Sequence, residues 1–271
     1  MVALQSSKKC LTSAAIFLAL LASPVAHAQD LTVAVAASLQ DALEAMKTDI
    51  AAELPATAIH VSPGASGMIQ QQILQGAPID VFLSAAAKPV NELEQQKQLS
   101  PGTLKVFLNN DLVLIAPEKS TLHAITDIKD AKVKRIALGE PRTVPAGDYA
   151  SQTLKSLKLF DTLTPKFVFG KDVRQVLSYV ARGEVDAGFV YKSDLQSAAA
   201  KGVKIIEEAS ADSHDPIQYS MTVIASSKQQ DKAKKLLSYF EGPKAAVIWK
   251  KFGFQVPTET AAAKGKASAP R

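Results

Sequence analysis

Short apolar runs alternate along this chain with stretches whose apolar residues recur at helical spacing. Residues 31–37 (LTVAVAA) are typical of a buried strand, and residues 39–53 carry apolar side chains spaced as on one face of a helix. Further strands are predicted at residues 59–62, 80–84, 112–116, 136–138, 167–169, 187–191 and 221–225. Further helices are predicted at residues 67–75, 89–98, 149–157, 173–181 and 231–240. Strands that alternate with helices predict an α/β fold with mostly parallel sheets.

The first 28 residues have the three parts of a secretory signal peptide. Lys8 and Lys9 precede a mostly apolar run at residues 11–21, and residues 26–28 (AHA) form an A-x-A cleavage site. The apolar run is shorter than the ~20 residues that a membrane-spanning helix needs, which argues against a permanent anchor. We therefore predict cleavage, export, and a mature chain that begins near Gln29.

Composition excludes several classes of protein. At about 150 residues per domain, 271 residues suit one large or two small domains. The net charge of +5 becomes +3 once Lys8 and Lys9 are removed, and the lysines are spread out, so no nucleic-acid partner is expected. A single cysteine permits no internal disulfide and no thiolate metal cluster, and the four histidines lack zinc-like spacing. No cofactor is expected. The small, polar residues 258–271 predict a flexible tail.

Small or polar residues stand at four places between a predicted strand and a predicted helix. These places are residues 36–39 (AASL), 64–67 (GASG), 144–147 (VPAG) and 172–174 (DVR). Each has a purely structural explanation, since Ser38 and Asp172 suit an N-cap, Pro145 suits a first helical turn, and a glycine-rich turn suits residues 64–67.

Considered together, the same four places predict a binding site. Helix N-termini expose unpaired N–H groups and the positive end of a dipole, so several that converge bind an anion without a charged side chain. In α/β sheets such sites lie beyond the carboxyl ends of the strands, where Tyr191 also ends a predicted strand.

Enzyme motifs are weaker than this pattern. The GASGM sequence around Ser66 is not a G-x-S-x-G elbow, and the glycine-rich stretch lacks the lysine of a P-loop. An exported serine hydrolase stays open as an alternative, because folding could bring His60 or His214 to Ser38 or Ser66. Arg174 is expected to be a solvated helix residue. A module that contacts a partner protein would need a large exposed apolar patch.

Six segments carry a resemblance to a known family across residues 31–257. They are VAVAASL with Ser38, SPGASGMIQQQI with Ser66, GAPIDVFLSA at residues 76–85, VPAGDYA with Ala146, KDVRQVL with Val173, and GFVYKSD with Tyr191. In order and spacing the chain resembles the periplasmic molybdate-binding proteins of ABC importers, the ModA family.

The resemblance implies a two-lobed periplasmic-binding-protein fold with a hinge between the lobes. Residues 29–109 plus 221–257 would form lobe 1, and residues 110–220 lobe 2. It further implies that the oxyanion, and through its oxygens the metal, is held by the two serine hydroxyls, two backbone N–H groups and a tyrosine hydroxyl. Carried over to this chain, the binding residues are Ser38, Ser66, Ala146, Val173 and Tyr191.

The function implied by the resemblance is transport, not catalysis. The protein would capture molybdate, and tungstate with it, between its lobes and deliver the ion as a monomer to the membrane permease of an ABC importer. The same fold tuned to sulfate or another tetrahedral oxyanion is the nearest alternative. Arg142 and Arg174 are basic residues close to the predicted site whose effect on selectivity the sequence leaves open.

Overall fold

The computed structural model describes residues 30–257, so the predicted signal peptide (1–28) and flexible tail (258–271) lie outside the described residues. Within that range the strands are β1 (Leu31–Ala36), β2 (Ile59–Gly64), β3 (Val81–Ser84), β4 (Lys105–Asn109), β5 (Leu112–Pro117), β6 (Ile136–Gly139), β7 (Phe167–Gly170), β8 (Ala187–Tyr191), β9 (Val203–Glu208) and β10 (Gln218–Val223). The α-helices are α1 (Gln40–Glu53), α2 (Ser66–Leu74), α3 (Ala87–Gln95), α4 (Pro145–Ser156), α5 (Phe160–Leu163), α6 (Val173–Ala181), α7 (Gln230–Glu241) and α8 (Pro243–Lys251).

The strands form two five-stranded sheets with the same arrangement. Their orders are β2-β1-β3-β10-β4 and β7-β6-β8-β5-β9. In each sheet four strands share one direction, and only β10 or β5 runs against its neighbours. The chain crosses from the first sheet to the second between β4 and β5, and it returns between β9 and β10. This two-lobed α/β architecture, with helices flanking each sheet, confirms the predicted fold class.

Buried apolar strands hold each lobe together. Every residue of β3 and β8 is buried, as expected for strands covered on both faces. Helix α6 buries an apolar stripe at i, i+3, i+4 and i+7 against β8 and β6. The stripe consists of Val173, Val176, Leu177 and Val180.

The predicted elements agree with the structure where burial is complete. Helix α6 and strand β8 coincide with the predicted ranges to the residue. Strands β4 and β9 were not predicted, because each is an edge strand with exposed charged residues and lacks the continuous apolar run of a central strand. Strand β10 begins three residues before the predicted start at 221, at Gln218.

The predicted lobe limits at 109/110 and 220/221 stay predictions. The structural features nearest to them are the end of β4 at Asn109, the start of β5 at Leu112, and β10, which pairs with β3 and β4. Across residues 30–257, every helix is too short or too polar to cross a bilayer.

Candidate anion-binding site

All five residues predicted to bind the ligand line one cavity between the two lobes. Its other lining residues are Ala36, Ala37, Gly64, Ala65, Ala85, Val144 and Pro145, so none of the lining side chains is charged. The cavity is small and lined mostly by short side chains, which suits a compact ligand.

The cavity lies where strands end and helices begin. Ser38 lies in a 3-10 turn directly after β1, and Tyr191 is the last residue of β8. Ser66 and Val173 begin helices α2 and α6, and Ala146 is the second residue of α4. Because the first N–H groups of a helix have no partner within it, three helices direct free donors and positive dipole ends toward this region.

Both serine oxygens already have a hydrogen-bond partner in the protein. The N–H of Ala85 donates to Ser66 Oγ at 3.0 Å, and Ser38 Oγ lies 2.9 Å from the hydroxyl of Tyr219. Ser38 and Ser66 are 2% and 0% exposed. The Ser66 hydroxyl proton is therefore available to a ligand in the cavity.

Tyr191 contributes an unpaired donor. Its side chain is buried, and its Oη atom has no hydrogen-bond partner among the described residues. Burial raises the pKa of Tyr191 well above its usual value, so the hydroxyl keeps its proton. A buried polar group without a partner costs ~1–3 kcal/mol, and an anion in the cavity would supply the missing acceptor.

Arg174 is not the solvated helix residue that was expected. Its side chain is 18% exposed, and its guanidinium lies 3.0 Å from Asp41 of α1 and 3.1 Å from Asp194. It also donates to the backbone carbonyl of Ser38 at 3.1 Å. Since α6 belongs to the second lobe and α1 to the first, Arg174 joins the lobes next to Ser38.

Arg142 has no comparable role in the structure. Its side chain is 87% exposed and pairs with Glu140 at 3.0 Å. Neither Arg142 nor Arg174 belongs to the residues that line the cavity. The positive electrostatic potential at the site therefore comes from helix N-termini and backbone N–H groups.

Three single-residue expectations can be compared with the structure. Asp172 is an N-cap, since its Oδ1 accepts from the N–H of Gln175 at 2.9 Å, and Pro145 occupies the first turn of α4. The N-cap prediction for Ser38 is wrong: no side-chain cap begins α1, and the Ser38 hydroxyl instead contacts Tyr219. Asp41, three residues after Ser38, pairs with Arg174.

The histidines that a serine hydrolase would need lie elsewhere. His60 pairs with Asp30 at 2.9 Å near the start of β2, the end opposite Ser66. His214 donates from Nδ1 to the carbonyl of Asp215. Within residues 30–257, no cluster of three or more histidines, cysteines or carboxylates is placed to hold a metal ion.

Asp194 makes stability depend on pH. Burial raises its pKa to about 6, against the opposing effects of Arg174 and the Tyr191 N–H. The folded state thus binds a proton more readily than the unfolded state, where the pKa is 3.8. Between pH 4 and pH 7, Asp194 is expected to lower the free energy of unfolding by about 2 kcal/mol as pH rises.

Urea unfolding of the wild type and of Asp194→Asn at pH 4, 5, 6 and 7 isolates this contribution. The wild-type free energy of unfolding should fall relative to the variant as pH rises. A difference that stays constant, or that grows with pH, would show that the folded-state pKa is not raised.

The fold and the site define a class of protein: a two-lobed binding protein that holds one small solute between its lobes. The family of bacterial extracellular solute-binding proteins matches residues 31–255. The chain belongs to this family, and its similarity to molybdate-binding members assigns it to the ModA type.

Relatives of known name agree with that assignment. YvgL of Bacillus subtilis, named as an ABC transporter substrate-binding lipoprotein, is 38% identical to this chain over 83% of this chain and 85% of the YvgL chain. The molybdate-binding protein ModA of Escherichia coli is 34% identical over 90% of this chain and 95% of its own. The periplasmic molybdate-binding protein of Azotobacter vinelandii superposes with a TM-score of 0.75 at 29% identity, over 84% of this chain and all of its own.

Proposed function

We propose that this protein binds molybdate, and tungstate of the same shape and charge, between its lobes and delivers it to the permease of an ABC importer. The observation that carries the proposal is an uncharged cavity whose polar groups are donors, one of them the unpaired hydroxyl of Tyr191. The names of the Escherichia coli and Azotobacter vinelandii relatives support molybdate as the ion.

Five residues would hold the ion by hydrogen bonds to its oxygens. The hydroxyls of Ser38, Ser66 and Tyr191 and the N–H groups of Ala146 and Val173 all border the cavity. Because these groups donate and no carboxylate is present to accept, an oxyanion that carries a proton leaves its O–H unpaired at a cost of ~1–3 kcal/mol. Sulfate is the nearest competitor. Its S–O bonds are shorter than the Mo–O bonds of molybdate, so donors positioned for molybdate would lie farther from the sulfate oxygens and bind them more weakly.

Closure of the lobes couples binding to delivery. Lobe 1 (29–109 plus 221–257) supplies both serines, and lobe 2 (110–220) supplies the other three binding residues, so the full set of contacts exists only in the closed state. An ion that binds the closed state better shifts the equilibrium toward it. The permease would then recognise the closed, monomeric protein in the periplasm after cleavage of the signal peptide.

Catalysis is not part of the proposal. A hydrolase would need a base near its nucleophile, and no histidine, lysine or carboxylate lines this cavity. The surroundings of Ser38 and Ser66 suit hydroxyls that donate hydrogen bonds to a ligand, and among the described residues they contain no group that would activate either serine as a nucleophile.

A thermal-shift panel on the mature chain, residues 29–271, tests the proposal. At about 1,000 times the dissociation constant, a ligand stabilises the folded state by ~4 kcal/mol, or roughly 8–16 °C for a chain of this size. We expect such shifts with molybdate and tungstate, and much smaller ones with sulfate and phosphate. A large shift with sulfate alone would replace the ion, and no shift with any of the four would contradict the proposal.

Gly67→Ala is expected to weaken molybdate binding about 10-fold or more without lowering the stability of the open protein. The Gly67 N–H donates across the lobes to the Thr143 carbonyl at 3.0 Å, and an added Cβ would lie 2.8 Å from that oxygen. The clash exists only when the lobes close, and overpacking of this kind costs ~1–3 kcal/mol.

Isothermal titration calorimetry of Gly67→Ala against Met68→Ala provides the comparison. Met68 is the next residue of α2, and its side chain is exposed. The Met68 variant should bind as the wild type does. Equal affinities for all three proteins would mean that the closed contact between Gly67 and Thr143 is not required for binding.

Tyr191→Phe is expected to leave the ligand-free protein as stable as the wild type or more stable, because it removes an unpaired buried hydroxyl. The same change should weaken molybdate binding by less than a serine substitution, since the hydroxyl is one donor among several. Urea unfolding and calorimetry measure the two effects. Loss of all binding in Tyr191→Phe, with normal binding in both serine variants, would show that the site is assigned wrongly.

A further inference from the structure

A series of buried hydrogen bonds runs from Asn110, where the polypeptide first passes between the lobes, to the cavity. The Asn110 amide fixes which group donates in each of these bonds. The Asn110 Oδ1 atom accepts from the backbone N–H of Asp111 at 2.9 Å and from that of Ser193 at 3.4 Å. An N–H can only donate, so these two contacts set the orientation of the amide. The Nδ2 atom therefore donates, to Tyr219 Oη at 3.2 Å and to Ser193 Oγ at 2.8 Å.

The orientation of the Asn110 amide also determines which group donates between Tyr219 and Ser38, and where the Ser38 proton is directed. Tyr219 Oη accepts from Asn110, so its own proton is directed to the other polar neighbour, Ser38 Oγ, at 2.9 Å. All three side chains are buried. Burial raises the pKa of Tyr219 well above its usual value, so the tyrosine retains the proton that it donates. Ser38, which accepts this bond, has its own proton left for the cavity.

We infer that Asn110 and Tyr219 are positioning residues that fix the Ser38 hydroxyl as a donor to the bound oxyanion and thereby disfavour ions that carry a proton. The inference rests on the proposed function and adds to it two residues that do not touch the ion. Ser66 is oriented by a backbone N–H, whereas Ser38 is oriented by side chains, so only the Ser38 arrangement can be reversed by substitution.

The hydrogen bonds that link Asn110, Tyr219 and Ser38, here called the relay, lie at the hinge between the lobes. Asn110 follows β4 at the first crossing between the lobes, and Tyr219 lies in β10 directly after the second crossing. The Tyr219 ring packs against the rings of Tyr191 and Phe254, at centroid distances of 5.7 and 5.4 Å. The substitution Tyr219→Phe keeps these ring contacts and removes only the hydroxyl.

Two variants distinguish the effect of the relay on ion binding from the effect of disturbed packing. In Tyr219→Phe, Ser38 loses the bond that directs its proton. In Asn110→Asp, a carboxylate accepts the Tyr219 proton in place of donating to its oxygen, so Ser38 would donate to Tyr219 and turn its proton away from the ion. Tyr239→Phe is the matched control, because the Tyr239 hydroxyl contacts Asp49 far from the cavity.

Calorimetry with molybdate at pH 7, followed by displacement of molybdate with inorganic phosphate, supplies the two readouts. We expect Tyr219→Phe to bind molybdate about 3- to 10-fold more weakly, and Asn110→Asp more weakly still. In both variants the ratio of phosphate to molybdate needed for half displacement should fall at least threefold, whereas Tyr239→Phe should match the wild type. Damaged packing alone would weaken both ions in parallel and leave the ratio unchanged.

The outcomes distinguish this inference from the proposed function. Wild-type protein that binds none of the oxyanions would overturn the proposed function, and the inference with it. Wild-type protein that binds molybdate, with an unchanged displacement ratio in Tyr219→Phe and Asn110→Asp, would overturn the inference alone.

Discussion

Simultaneous replacement of Ser38 and Ser66 by alanine is expected to weaken molybdate binding at least about 100-fold. Each change would remove one of the proposed hydrogen bonds to the ion, worth ~1.5–3 kcal/mol for a charged ligand, and 1.4 kcal/mol is tenfold in affinity. Each single variant should lose about 10-fold or more. Isothermal titration calorimetry with molybdate measures all three variants against the wild type.

Ser238→Ala is the control for these changes, because Ser238 is an exposed serine of α7. It should bind molybdate as the wild type does. Since the alanines also leave the Ala85 N–H and the Tyr219 hydroxyl without an acceptor, urea unfolding must show that the variants remain folded. A folded double variant with wild-type affinity would remove both serines from the site.

Arg174→Met is expected to lower the free energy of unfolding by about 3 kcal/mol at pH 7. The change leaves Asp194, which is 0% exposed, without its cation. Breaking a buried ion pair costs ~3–5 kcal/mol, and the lower end applies because Asp194 can take up a proton. The loss should be smaller at pH 5, where that proton is more readily available.

The double variant Arg174→Met, Asp194→Asn identifies the cause. If the unpaired carboxylate is responsible, the second change should recover part of the lost stability, as measured by urea unfolding at pH 7. A second change that adds its own full loss would show that Arg174 stabilises the protein through Asp41 and Ser38 and not through Asp194.

The sequence predicts the buried parts of this fold because burial leaves a local signature. Strand β8 and helix α6 are continuous or periodic apolar patterns, and both were predicted to the residue. The starts of α4 and α6 beside the cavity are equally local, since Pro145 marks the first and the N-cap Asp172 marks the second. Edge strands β4 and β9 carry no such signature, because exposed charged residues flank or interrupt their apolar residues.

The groups that orient the site could not be predicted, because they meet only in the fold. Ser38 and Tyr219 are 181 positions apart, and Ser38 and Arg174 are 136 apart. A charged residue near a helix start is usually solvated, so no local pattern marks Arg174 as the residue that joins the lobes. The five predicted binding residues came from the resemblance to a family, and that they hold the ion stays a prediction.

A crystal structure of the mature protein grown with sodium molybdate, with data collected at the molybdenum absorption edge, tests the central claim most directly. We expect one strong anomalous peak between the lobes, with oxyanion oxygens within hydrogen-bond distance of Ser38 Oγ, Ser66 Oγ and Tyr191 Oη. A peak elsewhere on the protein, or an occupied cavity without molybdenum, would contradict the account.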